Sequence, residues 1–135
     1  MTLDPKLLAP PSAIQEHIGY SLVEWREGYC KVHLPLQPQL LNRQGIPHGG
    51  IYAMLLDTAM GYAGCFSGDG NVQILALTIN MSVNFVGQPK GTLLIADGWK
   101  TGGGRKTYFA EAKLHDDTGL LVATSTGVFR YRTSG

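Results

Sequence analysis

The chain has 135 residues, the size of one domain with a single core that needs no staples. Charged residues make up 16%, below the roughly 25% usual for soluble chains, so the domain is short of polar surface and leans toward an oligomer with buried interfaces. A net charge of +1 supplies no field for nucleic acid or an anionic membrane, and no apolar run reaches the length of a membrane span.

The N-terminal "MTLDPKLLAPP" lacks a basic segment followed by an apolar one. It therefore does not read as a signal peptide, and a cytoplasmic protein with free thiols is expected. The expected organisation is one domain, 1–135, with 1–16 as an extension that could hold a short helix interrupted by Pro10 and Pro11. From residue 17 the pattern is β. In "YCKVHLPL", Cys30, Val32, Leu34 and Leu36 fall on one face and Tyr29, Lys31 and His33 on the other. "GYSLVEWREG" is its hairpin partner across a turn at Glu27-Gly28. Cys30 and Cys65 form neither a disulfide framework nor a metal-ligand spacing.

After a loop at 37–48, "GGIYAMLLDTAMGYAG" predicts a helix over about 49–64 that is apolar all round, and so buried, with Gly64 and "SGDG" as its stop. Four strands follow. "LALTINMSVNF" sets Leu75, Leu77, Ile79, Met81, Val83 and Phe85 against Thr78, Asn80, Ser82 and Asn84. "GTLLIADGWK", "RKTYFAEAKLH" and "LLVATSTGVFRYR" complete a meander. The order predicts an α+β fold, an antiparallel sheet curled around one helix.

Chemistry concentrates at the helix. Its start, Pro47-His48-Gly49-Gly50, leaves backbone N–H groups without intrahelical partners, and glycine there lets a polarised carbonyl come close. Asp57 is the lone formal charge between Arg43 and Asp69. An unpaired carboxylate in an apolar helix is costly, which favours a catalytic base or nucleophile over a satisfied core or interface Asp. Asp57 lies eight residues beyond Gly49, about 12 Å along the axis, so the two cannot serve one carbonyl from the same helix. A site using both requires a second subunit, most simply across a two-fold axis with antiparallel helices.

His48, a loop His before a helix, more often caps or orients backbone than transfers protons. Asn42 either positions a water or carbonyl or makes ordinary turn bonds. "TGGGRK" could cradle a phosphate with Arg105 and Lys106, although its spacing fits no P-loop and such stretches usually join strands.

Together these residues resemble a known family. "Asn42…Pro47-His48-Gly49-Gly50…Leu56-Asp57-Thr58-Ala59…Gly61", with "LTINMSVNFVGQPKG" and "GGGRKTYFAEAKL", is similar to the PaaI-type hotdog-fold acyl-CoA thioesterases over roughly residues 17–132. The resemblance implies a homodimer, often paired into a tetramer, that hydrolyses acyl-CoA without metal or organic cofactor. It gives Asp57 the role of nucleophile or general base and the Gly49 N–H that of carbonyl polariser from the neighbouring subunit, with Gly50 among the substrate-binding residues. His48 and Asn42 then position substrate or water, Thr78 places a hydroxyl near the carboxylate, and Arg105 and Lys106 meet nucleotide phosphates.

Thr78 falls on the polar face of its strand, so either a bulge turns it inward or its role lies elsewhere. Gly87-Gln88 stands where relatives often carry a basic residue. Two other readings compete: a non-catalytic acyl-CoA-binding or sensing protein on the same fold, and a dehydratase, which needs a paired His and acid that His48 and Asp57 do not supply on one helix.

Overall fold

The computed structural model describes residues 3–132; Met1, Thr2 and residues 133–135 of the expected 1–135 domain lie outside it. A 3-10 turn, Pro5–Leu7, and a helix, α1 (Ala13–Ile18), precede β1 (Ser21–Arg26) and β2 (Tyr29–Pro35). The long helix is α2 (Gly49–Ala63), followed by β3 (Ala76–Phe85), β4 (Leu93–Gly103), β5 (Thr107–Asp116) and β6 (Leu121–Tyr131). Pro10 and Pro11 do split the N-terminal segment, and Ser12 starts α1 by accepting the Gln15 N–H at 3.2 Å.

The six strands form one antiparallel sheet in the order β1-β2-β4-β5-β6-β3, and α2 lies in its concave face, the hotdog arrangement that the resemblance implies. The last four strands are not one meander. Only β4-β5-β6 are neighbours in sequence order; β3 crosses to the far side and pairs with β6, leaving β1 and β3 as the edges. Hairpin logic failed here because the strand after α2 follows the helix across the sheet rather than turning back on a neighbour.

Burial along α2 follows one stripe: Tyr52, Leu55, Leu56, Ala59, Met60 and Ala63. That is the i, i+3, i+4 spacing of a helix packed on one side. Expectation had the helix buried all round; within one chain the opposite face, with Ala53, Met54, Asp57 and Gly61, stays partly open. The stripe rests on Cys30, Val32 and Leu34 of β2, the face predicted from alternation, and on Leu94, Ala96, Leu114 and Phe129. Helix and sheet touch most closely at Gly98, where a Cβ would stand 2.5 Å from the Ala59 carbonyl carbon; any side chain there pushes α2 off the sheet.

The C-terminal end of α2 is tied down by tyrosines. The Tyr108 hydroxyl donates to the carbonyls of Met60 and Gly61 at 3.1 and 2.9 Å, and the Tyr131 hydroxyl to Gly64 at 2.8 Å. These bonds satisfy carbonyls that a helix end leaves without partners. Among the described residues no helix is long and apolar enough to cross a membrane.

Candidate active site

A cavity of about 500 Å³ runs along the open face of α2 from Asp57 to Cys65. Trp25 and Tyr62 line one wall: the Trp25 indole N–H donates to the Tyr62 carbonyl at 2.8 Å, and the rings meet edge to face. Ala76 and Thr78 of β3 form the other. Asp57 is the only carboxylate on its lining, and no basic side chain faces it among the described residues. Burial pushes the Cys65 thiol up, only partly offset by the Tyr108 hydroxyl, and also pushes the Tyr62 phenol up. Neither supplies an anion at neutral pH.

Thr78 reaches Asp57 through a bulge. The register of β3 against β6 shifts between Thr78 and Asn80, which turns Thr78 into the concave face. Its hydroxyl donates to Asp57 Oδ1 at 2.6 Å, and Oδ2 has no hydrogen-bond partner among the described residues. The bulge also splits the predicted apolar face: Met81 and Val83 pack against the core, whereas Leu77 and Ile79 stand outside, 56% and 59% exposed.

A second group sits at the opposite end of α2. His48 is its N-cap, and Nδ1 accepts the Gly50 N–H at 2.8 Å. That fixes a capping role for His48 and engages the Gly50 donor. The Gly49 N–H makes no hydrogen bond among the described residues, so it is the free donor at the positive end of the helix dipole. Asn42 Oδ1 accepts the Gln44 and Ile46 N–H groups at 2.9 and 3.4 Å, which is turn chemistry in the loop before the helix.

Arg105 and Lys106 form a third group, exposed on the β4–β5 turn. The Lys106 carbonyl accepts the Tyr131 N–H at 2.9 Å, which places this turn at the same end of the sheet as the C-terminus of α2. At Gly87 a Cβ would meet the Leu121 carbonyl oxygen at 2.6 Å, so packing against β6 leaves no room for a side chain at this position.

The chain thus brings Asp57 and Thr78 together, and holds Gly49 about 12 Å away along the axis, with His48 and Gly50 beside it and Asn42 in the loop before the helix. Sequence reasoning missed the cavity itself and its walls at Trp25, at residues 70–75 and at Leu7 to Ala9. The Leu7-Leu8 pair between prolines was the available signal. Of the aromatic and Met side chains on and just after α2, Tyr62 is on its lining, whereas Tyr52, Met54, Met60 and Phe66 are not.

Comparison with known proteins gives four findings. The sequence model of the thioesterase superfamily matches residues 44–123. A proposed esterase of Archaeoglobus fulgidus is 29% identical over 113 residues, covering 83% of this chain and 70% of that protein. Among solved structures, a Bacillus halodurans protein solved with CoA superposes with a TM-score of 0.77 at 30% identity, over 93% of this chain and 82% of that one. The PaaI protein of the E. coli phenylacetic acid degradation operon shares the fold, with a TM-score of 0.79 at 22% identity over 92% and 86% of the two chains.

Proposed function

This chain belongs to the thioesterase superfamily with a PaaI-type fold, and on that premise we propose that it hydrolyses acyl-CoA thioesters to the free acid and CoA in a site shared between two subunits. The observation that carries the reading is Asp57, the sole carboxylate of the cavity, oriented by the Thr78 hydroxyl at 2.6 Å. A relative 30% identical was solved with CoA, which supports CoA as the carrier.

The two ends of α2 meet only across subunits. Strand β3 is an edge with unpaired backbone groups, and the helix face beside it is open. Two copies pairing antiparallel through this edge set the Thr78 end of one β3 beside the Phe85 end of the other. Within the chain Gly49 sits against the Phe85 ring, where a Cβ would be 3.4 Å from it. The same pairing therefore brings the N–H of Gly49 of the partner subunit toward Asp57. On the outer face Leu77, Ile79 and Phe109, each about half exposed, flank this seam and suit the pairing of two dimers into a tetramer.

The thioester carbonyl then accepts from the partner's Gly49, where charge develops as the bond is attacked. Asp57 Oδ2 either takes a proton from a water whose oxygen adds to the carbonyl carbon, or adds itself to give a mixed anhydride that water cleaves. Either route expels CoA thiolate, a good leaving group that needs little acid assistance. His48 holds the helix start and Asn42 the turn before it; Arg105 and Lys106 are the cations for nucleotide phosphates.

Thiol release over an acyl-CoA panel tests this. Asp57→Asn is expected to keep the oligomer and lose most turnover. Unchanged turnover would remove Asp57 from the chemistry, and tight binding without release by the wild type would make the protein a sensor.

A further inference from the structure

The cavity has an end wall that the reaction itself does not need. We propose that residues 3–9 form a strap closing the cavity opposite Asp57, and that Leu7 and Leu8 make the enzyme selective for acyl groups of up to about ten carbons. This deepens the acyl-CoA reading above and rests on it.

The length follows from the helix. Asp57 and Cys65, both on the cavity wall, are eight residues apart, about 12 Å along the axis at 1.5 Å per residue. An extended chain advances about 1.2 Å per bond, since the three bonds of one residue span about 3.6 Å. An acyl chain anchored at Asp57 therefore reaches the end of α2 after about ten bonds.

At that point it meets the strap. Leu7, Leu8 and Ala9 line the cavity, and the segment crosses the loop that joins α2 to β3, with the Lys6 carbonyl oxygen set against Gly70. A Cβ at position 70 would stand 2.5 Å from that oxygen, so glycine is what lets the strap close down. The loop beneath is rigid: the Ser67 hydroxyl donates toward the Asp69 and Val72 carbonyls, and Asp69 Oδ1 accepts the Asn71 N–H at 2.9 Å. The strap is fixed as well. Leu3 packs on the core, Asp4 caps the turn Pro5–Leu7 by accepting the Lys6 N–H at 3.0 Å, and α1 anchors the other side. A longer acyl group must displace this assembly or fold back on itself.

The test compares kcat/KM for acyl-CoAs from butyryl to hexadecanoyl. The wild type is expected to lose activity steeply beyond about ten carbons, as a filled apolar pocket rejects extra methylenes by about tenfold or more. Two separate changes should move that limit the same way: Leu7→Ala with Leu8→Ala, which opens the wall, and Gly70→Ala, which lifts the strap where the Lys6 carbonyl crosses the loop. Each should raise the ratio of tetradecanoyl to octanoyl activity about tenfold. A length limit that stays put in both folded variants, or equal losses at every length, overturns the strap. If the wild type cleaves no acyl-CoA, the catalytic reading fails separately. Calorimetric binding of saturated fatty acids to wild type and double variant then decides the strap, by whether the length limit moves.

Discussion

A shared site makes a complementation prediction that a site within one chain cannot. Gly49→Pro deletes the one backbone N–H assigned to the carbonyl, and the helix tolerates it. Position 49 is the first residue of α2, where Pro is preferred, and His48 already holds φ −61 and ψ 136, the extended conformation a residue before Pro requires. The predicted cost is that of losing an oxyanion donor, about 10²–10³ in kcat, with melting temperature preserved. Asp57→Asn disables the other half. Mixed one to one by co-expression or by unfolding and refolding together, random pairing makes half of the dimers heterodimers. In each of these one of two sites regains an intact Asp57 facing an intact Gly49, so turnover should recover to about a quarter of wild type. Thiol release on the mixture, beside each variant alone, measures it. Recovery no greater than the sum of the two parents would refute the shared site, because at about 12 Å along one helix both groups would then have to act on separate events.

Three further outcomes follow from named contacts. Thr78→Val keeps the strand former and removes the donor to Asp57, a bond to a charged acceptor worth about 1.5–3 kcal/mol; kcat should fall roughly ten- to a hundredfold. Thr78→Ser should restore most of it, and a serine variant as slow as the valine one would show that the hydroxyl is not the operative group. Asp116 is buried at the β5–β6 turn, where the Thr118 hydroxyl at 2.6 Å and the N–H groups of Gly91, Lys90 and Leu120 hold its carboxyl well below the usual range against the opposing effect of burial. A depressed folded pKa gives stability that is present above the ordinary carboxylate range and lost as pH falls through and below it. Thermal melts at pH 7 and pH 3 should therefore show a larger acid loss for wild type than for Asp116→Asn, and parallel losses would count against the clamp. The β3 seam predicts a dimer or tetramer by sedimentation, and Ile79→Lys with Leu77→Lys should weaken assembly beyond the dimer; an unchanged tetramer would move that interface elsewhere.

Much of this was legible residue by residue. Alternation at Cys30, Val32 and Leu34 gave the buried face of β2, and the α2 boundaries fell within a residue of expectation because glycines frame an uninterrupted apolar run. The helix-start motif with Asp57 was readable as one unit because spacing along a helix is fixed. Thr78 was readable only as an alternative between an inward-turning bulge and a role elsewhere, since a bulge is set by how β3 and β6 share hydrogen bonds rather than by either strand. His48 was readable only as an alternative between capping and proton transfer, until the 2.8 Å bond from Gly50 N–H chose the cap.

The sequence by itself determined the parts: an apolar helix with one carboxylate, a free amide at its start, strands to wrap it, and about 12 Å that keep carboxylate and amide apart on one chain. Those follow from local periodicity, which covalent geometry dictates. Tertiary structure alone decided which strand is left as an edge, that Thr78 turns in to hold Asp57, and that Leu7, Leu8 and Ala9 come to line a cavity along α2. These join residues far apart in the chain, through packing and hydrogen bonds that no short window of sequence encodes.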